Sequence, residues 1–142
     1  MVSGEELQTE GRTITESDIV FFSYFTGDWT FLHSDMVESG NSVFGERIAH
    51  GYLTLSVSLG LLVRAGMIDK KRFLALKSIE SVRFLKPVRI NDTLRVFFTT
   101  SESEDGRGRI NVVTKARTVN QSGDTVLEFT STHMLRDSVS SV

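Results

Sequence analysis

The chain has 142 residues and a net charge of −2, with a composition ordinary for a soluble globular protein. This charge gives no general attraction to nucleic acid or to anionic membranes, so neither is expected as a partner. The absence of cysteine excludes disulfides, thiolate metal sites and a cysteine nucleophile. No run approaches the ~20 apolar residues of a membrane span, and the N-terminus lacks a signal-peptide layout. We expect one cytoplasmic domain over residues 1–142, with loose termini at 1–11 and 137–142.

The first structured part is predicted to be a short strand at residues 12–14 and then a helix. Thr15 can cap a helix over residues 16–26, because its hydroxyl can accept from the first free N–H groups. Gly27 can end that helix. One face of the helix is expected to be buried, since apolar residues recur near helical spacing at Ile19, Phe22, Phe25 and Trp29.

The longest apolar stretch runs over residues 51–67 and carries a single charge, Arg64. An apolar run of this length is typical of a buried central helix, because it is too short to cross a membrane. Its small residues would allow a sheet to wrap closely around it, at positions Ser56, Ser58 and Gly60.

The second half of the chain is predicted to consist of strands. Alternating or apolar runs occupy residues 73–84, 94–98, 110–116 and 126–135, and turn-rich segments separate the last three at 103–108 and 120–124. Helices followed by a block of antiparallel strands indicate an α+β fold.

An acid and a base stand close together between these two halves. Asp28 and His33 are separated by four residues, in a segment that we do not expect to be helical. A carboxylate and an imidazole framed by apolar residues can have their pKa values moved toward the range that proton transfer requires.

A second short segment completes a possible site. His50 and Gly51 open the predicted central helix, where backbone N–H groups have no partner within the helix. Such N–H groups can stabilise a developing negative charge, and a glycine leaves room for a reacting group beside them.

Taken together, these segments resemble the MaoC-like acyl-CoA dehydratases and (R)-specific enoyl-CoA hydratases. Two positions depart from the family pattern, because Thr30 replaces the usual Asn and Phe31 the usual Pro. A third segment, Phe84-x-x-Pro87-Val88-x-x-x-Asp92-x-Leu94, also fits, with Asn91 in place of Gly; Asn is the side chain that best tolerates a left-handed backbone. The matching residues of the first two segments are Gly27, Asp28, His33, Phe44, Gly45, Ile48, His50 and Gly51.

The resemblance implies the hot-dog fold, in which a curled antiparallel sheet wraps around one long buried helix. It further implies reversible syn hydration of a trans-2-enoyl thioester to a (3R)-hydroxyacyl thioester, a lyase reaction of fatty acid metabolism. Asp28 and His33 would be catalytic, and the Gly51 N–H would polarise the thioester carbonyl. Supporting or substrate-lining roles would fall to Thr30, Phe31, His50 and Ser56.

No metal and no separate cofactor is expected, because coenzyme A would be part of the substrate. The substrate would be an acyl thioester of coenzyme A or of acyl carrier protein. The resemblance also implies a homodimer or higher homo-oligomer with the active site at the interface. His133 lies in the last predicted strand and is interpreted as non-catalytic.

Two alternatives remain open at this point. One is a hot-dog thioesterase, in which a carboxylate activates water against the thioester carbon. The other is a non-catalytic acyl-binding module, in which Thr30 and Phe31 mark a lost site. The sequence does not decide the acyl chain, the carrier, or which of the basic residues Lys86, Arg89 and Arg95 meets the coenzyme A phosphates.

Overall fold

The computed structural model describes residues 3–137. Four α-helices lie in the first half of the chain: α1 (Glu16–Thr26), α2 (Phe31–Ser34), α3 (Met36–Gly40) and α4 (Gly51–Leu62). A π-helical segment, Val63–Met67, follows α4 directly. The strands are β1 (Ser3–Gln8), β2 (Arg12–Thr13), β3 (Phe73–Phe84), β4 (Thr93–Glu104), β5 (Arg109–Val119) and β6 (Thr125–Arg136).

All strands belong to one antiparallel sheet in the order β1-β4-β5-β6-β3, and β2 pairs with the same strand as β1. The turns joining β4 to β5 and β5 to β6 occupy the predicted turn segments, so the two hairpins are confirmed. Alternating residues of the three central strands are buried on one face of the sheet, as the sequence pattern predicts.

Helix α4 packs on this buried face, which confirms the predicted hot-dog fold. Leu53, Leu61 and Leu62 of α4 share one core with apolar side chains of β4, β5 and β6. The small residue Ser58 brings helix and sheet close enough for its hydroxyl to lie 2.7 Å from that of Thr118. The core thus holds the start of α4 in place relative to the sheet.

The predicted loose N-terminus is wrong for residues 3–8, which form β1. Thr9, just beyond the strand, is buried, and its backbone N–H donates to the carbonyl of Val96 at 2.9 Å. The segment is ordered because the edge of β4 supplies backbone partners that no local pattern reveals. Of the predicted loose C-terminus at 137–142, residues 138–142 lie outside the described residues, and the Asp137 N–H donates to the Gly108 carbonyl at 2.9 Å.

Helix α1 begins and ends as predicted. Thr15 accepts from the N–H of Asp18, whose carboxylate accepts from the Thr15 N–H in return, and Gly27 ends the helix with a φ of 81°. The predicted buried face is partly wrong, because Phe25 is 76% exposed and Trp29 lies beyond the end of the helix and is also exposed. Buried Ile19 and Ser23 are one turn apart, whereas Phe25 points about 120° away from Ile19 at 3.6 residues per turn.

The central helix is shorter and less enclosed than predicted. Gly66 has a φ of 96°, so the helical backbone ends before residue 67. In the single chain, Tyr52, Ser56 and Gly60 form an exposed stripe at four-residue spacing, and only Ser58 of the predicted small residues faces the sheet. Within residues 3–137 no helix combines the length and apolar character needed to cross a membrane.

The loop before β4 contains Asn91, for which the family pattern predicts a left-handed backbone. Asn91 has a φ of 74°, which confirms the left-handed backbone expected where related sequences have glycine. The neighbouring Asp92 accepts from the Arg89 N–H at 2.8 Å and from the Gln121 side chain at 2.9 Å. This loop is therefore held by its own polar contacts.

Candidate active site

The end of α1 places Asp28 at the start of α4. Gly27 adopts a left-handed conformation and donates its N–H to the Ser23 carbonyl at 2.8 Å, which turns the chain out of the helix. The Thr26 hydroxyl then accepts from the Asp28 N–H at 3.1 Å. This hydrogen bond holds the backbone of Asp28 in place independently of the contacts that its carboxylate makes.

The Asp28 carboxylate accepts three hydrogen bonds. One oxygen, Oδ1, accepts from the Thr30 N–H at 3.0 Å and from the Thr30 hydroxyl at 2.6 Å. The other oxygen, Oδ2, accepts from the Tyr52 hydroxyl. These bonds, led by the Thr30 hydroxyl and followed by Tyr52, hold the pKa of the Asp28 carboxyl well below its usual range. Asp28 is therefore ionised at any ordinary working pH.

His33 lies on a single helical turn, α2, which corrects the expectation that this segment is not helical. The Thr30 hydroxyl is engaged by Asp28 and does not cap the turn. The ring atom Nδ1 of His33 lies 2.7 Å from the Ile48 carbonyl. A carbonyl can only accept, so Nδ1 donates, and in the neutral form of the ring the lone pair lies on Nε2.

His50 is fully buried directly beside His33. The two rings stack with centroids 3.9 Å apart and planes inclined by 25°. Nε2 of His50 lies 3.0 Å from the Ser23 hydroxyl and 3.3 Å from the Asp28 carbonyl, whereas its Nδ1 has no partner in the described part of the chain. Burial, and secondarily the neighbouring His33, lowers the pKa of His50, so this ring is neutral.

Asp28, His33 and His50 offer nitrogen and oxygen atoms within 4.8 Å of one another. This separation allows one water to contact the Asp28 carboxylate and the His33 ring at once, since each hydrogen bond spans about 2.8 Å. A metal ion is less well matched, because the stacked imidazoles direct their in-plane lone pairs along nearly parallel planes. The absence of a metal stays a prediction.

An apolar cavity of about 430 Å³ opens beside the N-terminus of α4. Gly51, the first residue of the helix, lies in its wall, and a Cβ atom at this position would stand 2.9 Å from the Phe84 ring. Its N–H has no acceptor within the helix and is available to a bound group. The cavity is lined by Phe44, Ile48, Ala49, Gly51, Tyr52, Thr54, Phe84, Leu85, Lys86, Pro87, Val88 and Val126.

The other predicted site residues fall into two groups. Thr30 contacts the Asp28 carboxylate directly, and His50 contacts the Asp28 backbone. Phe31 is about half exposed, and the Ser56 hydroxyl donates to the Tyr52 carbonyl of its own helix at 2.8 Å. Among the described residues, neither is part of the cavity wall.

Sequence reasoning missed two residues of the site. Tyr52 reaches Asp28 with its hydroxyl and also lines the cavity, and Ser23 meets His50 from α1. A polar-tipped aromatic directly after His50-Gly51, in the first turn of the predicted central helix, was the one signal for Tyr52. Ser23 had no signal, because its partner lies 27 residues away.

The three basic residues considered as phosphate ligands have protein partners. Lys86, also in the cavity wall, lies 3.3 Å from Asp124, and Arg89 lies 3.1 Å from Glu46. Arg95 donates to the Thr9 carbonyl at 3.1 Å. Of the three, Lys86 is the one that stands at the cavity.

The fold and the site together define a hot-dog domain with a carboxylate and an imidazole at the start of its central helix. Comparison with known proteins agrees with this class, since the MaoC like domain matches residues 2–122. The chain belongs to the MaoC-like dehydratase family.

Known relatives of this chain support its membership of the family, at sequence identities from 28% to 41%. Protein MaoC of Klebsiella aerogenes is 41% identical over 96 residues, covering 68% of this chain but only 28% of that protein. The 3-hydroxyacyl-thioester dehydratase Z of Mycobacterium tuberculosis is 28% identical over 110 residues, covering 76% of this chain and 73% of that protein. The X-ray structure of the monoamine oxidase regulatory protein from Archaeoglobus fulgius superposes on this chain with a TM-score of 0.91 at 32% identity, covering 97% of this chain and 92% of that one.

Proposed function

We propose that the protein catalyses the reversible syn addition of water to a trans-2-enoyl thioester, giving a (3R)-hydroxyacyl thioester. One observation carries the proposal: the Asp28 carboxylate and the His33 imidazole lie within reach of one water, at the start of α4 where the apolar cavity opens. The name of the mycobacterial relative, a 3-hydroxyacyl-thioester dehydratase, belongs to the same reaction class.

Each step of the reaction has a candidate group in the structure. The water bound between Asp28 and His33 gives up a proton as its oxygen forms a bond to C3 of the enoyl chain. The electron pair of the double bond moves to the thioester oxygen, where the Gly51 N–H stabilises the enolate. A proton returned from the same acid–base pair to C2 completes the product.

The same geometry suggests the kind of substrate. An apolar cavity with one backbone donor at its edge suits an acyl chain whose thioester carbonyl lies at Gly51. The substrate is then an acyl thioester of coenzyme A or of acyl carrier protein, and the reaction needs neither a metal nor a redox cofactor. Lys86 stands where it could meet the polar part of the carrier.

The proposed active unit is a homodimer. Within the described residues, β3 pairs only with β6, so its other edge is open. Leu74 and Leu76 on this edge strand are 39% and 50% exposed. An open apolar strand edge is usually covered, and a second copy of the chain would cover it by pairing edge to edge.

The test is a paired assay on a panel of short, long and branched enoyl-CoA substrates. Loss of the enoyl-thioester absorbance reports hydration, and a free-thiol reagent reports thioester cleavage. We expect absorbance loss without thiol release. Asp28→Asn and His33→Ala should each lower kcat by at least about a hundredfold, the usual scale for removing an acid–base group.

Matched controls separate chemistry from folding. Asp35→Asn changes another carboxylate seven residues away, at the cap of α3, where asparagine caps equally well. It should keep full activity, and a chelator should leave the wild-type rate unchanged. Thiol release would make the protein a thioesterase instead, and silence in both assays would indicate a non-catalytic acyl-binding module.

A further inference from the structure

Tyr52 holds a position that the proposed reaction does not yet use. It is the second residue of α4, its ring lines the apolar cavity, and its hydroxyl donates to Oδ2 of Asp28. A single side chain therefore connects the wall of the acyl cavity to the carboxylate of the acid–base pair.

The ring of Tyr52 is set in place by aromatic neighbours on two sides. Its centroid lies 5.2 Å from that of Phe22 on α1 and 5.8 Å from that of His50. Because the residue also sits in the first turn of a helix packed on the core, its hydroxyl has little freedom to leave Asp28.

Asp28 would be poorly oriented without this contact. Thr30 engages only Oδ1, through its N–H and its hydroxyl. Rotation of the carboxylate about its terminal torsion is soft, so a second anchor on Oδ2 is needed to fix its plane toward His33.

We propose that Tyr52 is a positioning residue, which clamps Asp28 between its own hydroxyl and Thr30 so that the carboxylate orients the water and His33 takes the proton. The proposal rests on the hydratase function proposed above. It assigns different tasks to the two members of the pair. Asp28, with three donors on its oxygens, is a poor proton acceptor, whereas Nε2 of His33 keeps a free lone pair.

The kinetic test uses the only two tyrosines of the chain. Tyr52→Phe removes the hydroxyl and keeps the ring that packs on Phe22 and His50. We expect kcat on the best enoyl-CoA substrate to fall about ten- to a hundredfold with KM within about threefold, because a misplaced water costs rate more than substrate binding. Tyr24→Phe removes a hydroxyl from a residue that is 74% exposed and packs on Trp29, and it should leave both constants unchanged.

A second test does not depend on turnover, so it separates this proposal from the proposed function. In Tyr24→Phe protein, the phenolate absorbance reports Tyr52 alone. The groups that face its hydroxyl are Asp28 and the Thr26 hydroxyl, and His50 packs against its ring. The hydrogen bond to Asp28 raises the pKa of Tyr52 above its usual value of about 10, and adding Asp28→Asn should return it toward that value.

The two tests together decide whether Tyr52 positions Asp28. A raised phenol pKa that Asp28→Asn lowers, with a kcat loss in Tyr52→Phe, supports the positioning role. A kcat in Tyr52→Phe within about twofold of wild type, or a Tyr52 phenol that titrates alike with and without the Asp28 carboxylate, would overturn it. If wild-type protein turns over no enoyl thioester but the phenol pKa still depends on Asp28, the contact stands and the proposed hydratase function fails.

Discussion

Thr30 replaces the asparagine usual in this family, yet it contacts the carboxylate closely. Its hydroxyl and its N–H both donate to Oδ1 of Asp28, so this position still supplies two hydrogen bonds without the side-chain amide of asparagine. What threonine lacks is the amide oxygen, an acceptor that could hold a proton of the water. At the scale of the residue, the departure would change the polar environment of the water in the proposed reaction, while Asp28 remains ionised.

The two buried histidines should make the free energy of unfolding depend on pH. Burial lowers the pKa of His50 and of His133, whereas in the unfolded chain both titrate near about 6.5. Below a pH of about 6.5 the unfolded chain binds protons at these histidines more readily than the folded chain does. The free energy of unfolding should therefore fall as the pH drops below this value and should level off above it.

His133→Leu tests the contribution of His133 to this pH dependence. His133 is 1% exposed in a small apolar cluster beside Phe73, and its Nδ1 has no partner within the described residues. Leucine should raise the free energy of unfolding by about 1–3 kcal/mol, the cost of a buried unpaired polar group. Urea unfolding at pH 5.5 and 8 should also show a smaller difference between the two pH values than in wild type. An unchanged pH difference would place the titrating group elsewhere.

At the scale of the element, α4 presents two different faces. Ser58 faces the sheet and is fully buried, with its hydroxyl shared between the Thr54 carbonyl and the Thr118 hydroxyl. Ser56, half a turn away, lies on the exposed stripe and donates its hydroxyl to the Tyr52 carbonyl of its own helix. Both serines stand between apolar residues in the sequence, yet one is buried against the sheet and the other is exposed.

Serine-to-alanine substitutions on α4 should separate these faces. Ser58→Ala leaves the buried Thr118 hydroxyl without its partner, so we expect a loss of about 1–2 kcal/mol in the free energy of unfolding. Ser56→Ala should change it by less than about 0.5 kcal/mol, as exposed substitutions usually do, and should leave kcat unaltered. Equal losses in chemical denaturation would contradict this picture of the helix. A large kcat loss in Ser56→Ala would instead support the role at the site that the family resemblance implies for Ser56.

At the scale of the whole molecule, the apolar edge of the sheet makes the proposed dimer measurable. Light scattering should give twice the chain mass of 15.9 kDa. Leu76→Glu places a charge on the half-exposed edge strand β3 and should shift the protein toward monomer. Ser122→Glu adds the same charge in the β5–β6 turn and should not. A wild-type monomer, or a dimer that tolerates Leu76→Glu, would show that β3 is not the interface.

The sequence by itself determined the features that depend on neighbours along the chain. The cap at Thr15, the stop at Gly27 and both hairpins follow from local backbone preferences and from alternation, so they were predicted correctly. The left-handed Asn91 was predicted from the family pattern, in which a glycine stands at this position. The family motif likewise pointed to Asp28, His33 and Gly51, because the spacing of their residue types is visible in one dimension.

Only the tertiary structure decided which distant groups meet. The Tyr52 contact with Asp28 spans 24 residues, the Ser23 contact with His50 spans 27, and β1 pairs with a strand some 90 residues later. Such pairings depend on how the helices pack on the curled sheet, and several arrangements are compatible with the same local pattern. For the same reason the sequence could not show that Phe25 is exposed, that the stripe through Tyr52 and Ser56 is open, or that Asp28 is clamped on both oxygens.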